Sequence, residues 1–97
     1  MTAYVINEIT VTDPELFQTY VAQVPPILAA YGGRYIVRSG ATETIEGPDP
    51  GRVVISAFPD RAAALAWRNS PEYQAILAIR DASSTSRVYV IDGYEPA

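Results

Sequence analysis

The chain has 97 residues, enough for one hydrophobic core and no second one, with 48% apolar and 19% charged side chains. It holds no cysteine and no histidine, and all seven cations are arginine, so disulfides, thiolate and Ser-His nucleophiles, zinc sites, His-ligated haem and lysine Schiff bases are excluded and no metal or organic cofactor is expected. A net charge of -4 speaks against nucleic acid as a partner, the longest apolar run falls far short of the roughly 20 residues of a membrane span, and the N-terminus has no secretory pattern, so the expected setting is cytoplasmic and away from membranes.

Residues 3 to 11, "AYVINEITV", read as a strand with Val5, Ile9 and Val11 on one face and Tyr4 and Ile6 on the other. "TDPELF" then opens a helix, with Asp13 as N-cap, Pro14 at the first helical position and Glu15 in the first turn. Leu16, Phe17, Tyr20, Val21, Val24, Ile27, Leu28 and Tyr31 recur at helical spacing, interrupted by Pro25 and Pro26, which should break the segment in two before Gly32 and Gly33 end it. A second strand starts near Arg34 in "GGRYIVRSG" and is expected to run, with an interruption near Gly40, through "ATETIEG". In a regular strand Arg34, Ile36 and Arg38 share one side and Tyr35 takes the other; Arg38 is expected to look inward and Arg34 to reach solvent.

Gly47, Pro48, Pro50 and Gly51 make a turn, and "RVVISAF", residues 52 to 58, is a third strand, apolar on both faces. Asp60 caps a helix through "RAAALAWRN"; "SPEY" at 70 to 73 repeats the N-cap, Pro, Glu grammar and opens another through Arg80, leaving Ser70 and Glu72 with capping work. "RVYVIDGY", residues 87 to 94, is the last strand. The order β, α, β, β, α, β with right-handed crossovers is an α+β, ferredoxin-like arrangement: a four-stranded antiparallel sheet with helices on one face. Strands apolar on both sides need a cover for the other face, and the economical one is a second copy, so a homodimer is expected.

These segments, "AYVI", "DPELFQTY", "YGGRYIVRSG", "IEG", "RVVISAFP", "AAALAWRNSPEYQAILAIR" and "VIDGY", span essentially the whole chain and resemble the DUF1330 family of the dimeric α+β barrel superfamily. The resemblance implies the fold and the dimer but hands down no reaction. In the wider superfamily it places the chain beside cofactor-free monooxygenases, muconolactone isomerase, haem proteins and stress-responsive proteins. Where such family members usually carry a second glycine after the arginine, this chain has Ser39.

Candidate site residues follow from chemistry. Arg38 is a fork for a carboxylate or enolate oxygen, or half of an internal salt bridge with Glu46 or Asp92. Glu46, before the Gly-Pro turn, is a general base or an arginine partner; Asp92, before Gly93, is a turn former, a second candidate to move a proton, or a partner for Arg38 or Arg80; and Arg52, a ligand-binding candidate, could join Glu46 across the hairpin. Trp67 and Tyr73 flank "RNSPEY" as core aromatics or as a ligand shelf, and Arg80 is a further ligand-binding cation. With no His, Cys or Lys, tyrosine is the proton donor of choice, Tyr35 first; yet Tyr35 and Arg38 share one pocket only if the strand bulges between them or a second subunit supplies one of them. Three readings stand: a cofactor-independent isomerase, cyclase or monooxygenase acting on a small anionic, enolisable or aromatic ligand; a binding module without turnover; and a structural or stress-related dimer.

Overall fold

The computed structural model describes residues 1–96, apart from the side chains at 39 and 40. Eight elements follow in order: β1 (Ala3–Val11), α1 (Pro14–Val21), α2 (Val24–Ala30), β2 (Arg34–Gly40), β3 (Arg52–Phe58), α3 (Arg61–Arg68), α4 (Pro71–Ser83) and β4 (Ser84–Asp92). The strands form one antiparallel sheet in the order β2-β3-β1-β4, with the helices on one face, which is the α+β ferredoxin-like fold. No helix among the described residues is long and apolar enough to cross a membrane.

The caps sit where the sequence puts them. Asp13 accepts from the Leu16 N–H at 3.2 Å, Asp60 from Ala63 at 2.8 Å and Ser70 from Tyr73 at 3.1 Å, each satisfying a donor that a helix start leaves free. The two helical pieces are separated at Ala22 and Gln23, and Pro25 and Pro26 fall in the first turn of α2, where their missing N–H groups cost no helical hydrogen bond. Tyr31 closes α2 with a Schellman motif: Gly32, at φ 79°, donates to the Ala29 carbonyl, and Gly33 donates to that of Leu28. A Cβ at Gly33 would lie 2.6 Å from the Phe58 ring, so glycine is required for the chain to turn tightly into β2.

Two strand boundaries differ from the sequence reading by three residues or more, beside shifts at the ends of α4 (Ser83) and β4 (Asp92). The second strand stops at Gly40 and no strand forms over 41–51, because the β2–β3 ladder ends where Gly40 meets Val53 and the residues beyond have no ladder partner. The last strand starts at Ser84 rather than 87: β1 continues to Val11, and its backbone pairs with the polar run Ser84, Thr85 and Ser86. Tertiary pairing here overrides weak local propensity.

The core lies between sheet and helices, where Val5, Ile9, Phe17, Tyr20, Val24, Leu28, Phe58, Ala64, Trp67, Tyr73 and Ile76 form one buried cluster. The opposite face carries Tyr4, Ile6, Val37, Ile55 and Ile91 in register; Val37 is 36% exposed and Ile91 50%.

Candidate functional site: a cavity between sheet and helices

The roof of the site is set by one serine. The Ser70 hydroxyl donates to the Trp67 carbonyl at 2.7 Å while accepting from the Tyr73 N–H, so the end of α3 and the start of α4 are pinned to the same atom. Trp67 and Tyr73 are thereby held with ring centroids 4.4 Å apart at an interplanar angle of 47°. Arg80 follows Tyr73 by seven residues, two turns along the same stripe of α4. Its Nη1 donates to the Tyr73 hydroxyl at 3.2 Å, and that hydroxyl lies 2.7 Å from the hydroxyl of Tyr20 on α1. Burial, and then the neighbouring Tyr73, hold Tyr20 well above the ordinary phenol value, so it stays protonated at any physiological pH.

Arg80 is only 7% exposed. Its one carboxylate neighbour among the described residues, Asp81, lies 3.5 Å from Nη2 on a side chain that is 62% exposed, so the cation is buried while its counter-charge is in water. Such a pair compensates the burial poorly.

The floor comes from the sheet: Val5, Asn7 and Ile9 of β1, Val54 and Ser56 of β3 and Val88 of β4, with Tyr35 and Arg38 arriving from the edge strand β2. Arg38 reaches this side through a bulge. Tyr35 pairs with Ser56 and Arg38 with Val54, so Ile36 and Val37 together span the single residue Ile55. The expectation that Arg38 shares a side with Arg34 is therefore corrected: Arg34 is paired with Ala57 on the opposite face, and Tyr35 and Arg38 are brought to the same one. The Arg38 guanidinium lies 5.0 Å from the Tyr35 ring centroid, within cation–π range, at an exposed position on the edge of the cavity. Burial raises the Tyr35 phenol above its ordinary value, and Arg38 partly opposes the shift.

The cavity, partly open at its edge, has a volume of about 50 Å³. Three residues of its lining carry the only buried side-chain polar atoms that lack a hydrogen-bond partner among the described residues: Asn7 Oδ1, Trp67 Nε1 and Arg80 Nε. Among the described residues no carboxylate lines it. With Tyr20 and Tyr35 protonated, the cavity offers a cation and several donors in apolar walls and no group poised to accept a proton at neutral pH. That arrangement can bind and stabilise an oxyanion.

Residues 2–94 match the family described as a domain of unknown function, DUF1330. The chain belongs to the DUF1330 family. No curated protein matches it. This DUF1330 chain is similar in fold to a protein of unknown function from Rhodopseudomonas palustris, with a TM-score of 0.80 at 18% identity, over 98% of this chain and 84% of that one. It is also similar to SnoaB, a cofactor-independent oxygenase from Streptomyces nogalater, with a TM-score of 0.68 at 20% identity, over 98% and 95% of the two chains. A dimeric ferredoxin-like protein of unknown function from Jannaschia sp. CCS1 matches with a TM-score of 0.69 at 15% identity, over 96% and 100%. At these identities the likeness is one of fold.

Of the residues singled out from sequence, the DUF1330 fold gathers Tyr35, Arg38, Trp67, Tyr73 and Arg80 around this cavity. It does not bring Glu46, Arg52 or Asp92 there. Glu46 is exposed in the 41–51 segment, and Arg52 is exposed with its guanidinium 6.0 Å from the Phe17 ring centroid; the two form no ion pair. Asp92 is bonded instead to Arg61 at 3.2 Å. It cannot pair with Arg38, because β2 and β4 are the two edges of the sheet, three strand spacings or ~14 Å apart. Ser39, which follows Arg38, lies outside the described side chains. Among the lining residues that the sequence reading does not single out are Tyr20, Asn7 and Ser56. Tyr20 looked like any other member of an apolar helical stripe. Asn7 did carry a signal, as the one polar residue on the inward face Ala3, Val5, Asn7, Ile9, Val11.

Proposed function

We propose that this chain binds a small organic anion in the cavity and, where the bound molecule is enolisable, stabilises the enolate left when solvent takes its proton, without a cofactor. The observation that carries the reading is Arg80: a buried guanidinium facing aromatic hydroxyls and an apolar wall, with its only carboxylate in water. A buried charge whose counter-ion lies in water is costly, and an anionic ligand supplies a buried partner through charge-assisted bonds. The working unit in this reading is a homodimer that covers the apolar helix-free face carrying Val37 and Ile91, an assembly in keeping with the dimeric protein from Jannaschia. Light scattering should give twice the mass of one chain at micromolar concentration; a single-chain mass would remove the dimer.

Trp67 is the only tryptophan, so its indole N–H resonance and its fluorescence report on the cavity without interference. Titration with propionate and pyruvate should move both signals saturably in the wild type and not in Arg80→Met. Absence of a saturable change with either acid would overturn the reading. A carrier without turnover is the second reading, favoured by the lack of any carboxylate in the lining. Exchange of the methyl protons of pyruvate in heavy water separates the two: acceleration by the protein supports enolate stabilisation, and an unchanged rate at saturation leaves a binding protein.

A further inference from the structure

Asn7 stands midway along the central strand, between Val54 and Val88, in the floor of the cavity. Its Oδ1 is buried and has no hydrogen-bond partner among the described residues. A valine at that position would suit the strand and the core without the cost of an orphaned amide, so packing alone does not account for asparagine there. The oxygen of this amide accepts while its nitrogen donates, so a group that meets the oxygen is a donor. The roof has the opposite polarity: Arg80 Nε and Trp67 Nε1 are donors without partners, and the charge on Arg80 favours an anionic acceptor.

Size and charge narrow the ligand further. The cavity of about 50 Å³ has room for roughly four waters, hence a molecule of about five or six heavy atoms. An ammonium could also donate to Asn7, but it would bring a further positive charge into a space already bordered by Arg80 and Arg38 and lined by no carboxylate. A neutral hydroxyl carries no such penalty.

We infer that the cavity selects a 2-hydroxy acid of about the size of lactate, with its carboxylate on Arg80 and Trp67 and its hydroxyl donating to Asn7 Oδ1. The inference rests on the anion-binding reading and adds the hydroxyl to it. Three side chains from the central strand and both roof helices then satisfy one ligand at two ends, which a cation alone would not require.

The test is a series of lactate, propionate, 2-methoxypropionate and alanine titrated into the full chain and followed by calorimetry and the Trp67 indole resonance. Lactate should bind about tenfold tighter than propionate or 2-methoxypropionate, the worth of one hydrogen bond to a buried acceptor, and alanine should bind more weakly than lactate. Asn7→Val should lower lactate to the level of propionate and leave propionate unchanged. Equal binding of lactate and propionate, both abolished in Arg80→Met, would sink the hydroxyl assignment while the anion site stands. If no acid binds the wild type, both fall. The ligand series on the unaltered protein decides the matter even if Asn7→Val does not fold.

Discussion

Two arginines near opposite ends of the helical layer show two ways of handling a cation. Arg61, at the start of α3, meets Asp92 at the end of β4, with both side chains about half exposed, so the pair is closed and wet. Arg80, late in α4, is buried among Tyr73, Tyr20 and Trp67, with its carboxylate neighbour facing water. The first arrangement asks nothing of a ligand. The second leaves a donor unpaired in a place where solvation is poor, and it does so beside two further unpaired polar atoms. Clustering of such groups around one cavity marks a binding site more clearly than the presence of arginine, which occurs at both places.

The sharpest way to break this contrast is Arg80→Met. In the ligand-free protein the change removes an ill-compensated buried charge and fills similar volume, so unfolding free energy should stay level or rise by about 1 kcal/mol in urea denaturation. Affinity for a small carboxylate should fall by about 10- to 100-fold, the loss of one or two charge-assisted bonds. A large loss of stability in Arg80→Met would instead make this arginine a structural element rather than a group left open for a ligand.

Tyr20→Phe probes the same network with a smaller expected effect. Losing the 2.7 Å contact with the Tyr73 hydroxyl should cost about 1 kcal/mol, since Tyr73 keeps its bond from Arg80. The pH dependence has a definite sign. Burial raises the folded-state value of Tyr20 above the ordinary value near 10 that it regains on unfolding. The stability it contributes is therefore complete below about pH 10 and is lost as pH climbs beyond it. Tyr35 is raised as well and adds a slope of the same sign. Denaturation midpoints followed from neutral pH to strongly alkaline solution should fall less steeply in Tyr20→Phe than in the wild type.

Much of the framework that holds this network was legible in the residues. The N-cap, Pro and Glu pattern at Asp13 and Ser70, the helical stripe from Leu16 to Tyr31 and the doubly apolar strands fix the element order and the layer, because each follows from local hydrogen bonding or a short hydrophobic period. The bulge at Ile36 and Val37 was not legible. It depends on how β2 registers against β3, a matter settled between segments, and it alone decides whether Tyr35 and Arg38 share a face. Asp92 was misjudged as a partner for Arg38 for the same reason: strand order, not sequence proximity or charge, puts the two at opposite edges. Glu46 drew attention as an acid in a chain short of proton acceptors, yet it sits in an exposed segment with no ladder to carry it inward.

The smallest effect belongs to the edge pair, and its smallness is informative. Arg61 and Asp92 are 52% and 47% exposed, so water screens their attraction and two flexible side chains must be held in place to keep it. A double-mutant cycle of Arg61→Ala and Asp92→Asn should yield a coupling below about 1 kcal/mol that shrinks on addition of salt. Neither variant should change the affinity for any acid that binds the cavity, because the pair lies outside its lining. A coupling well above that bound, or a shift in ligand affinity on cutting the pair, would mean that α3 transmits strain from its start to Trp67 near its end, and the separation between the closed arginine and the open one would then have to be abandoned.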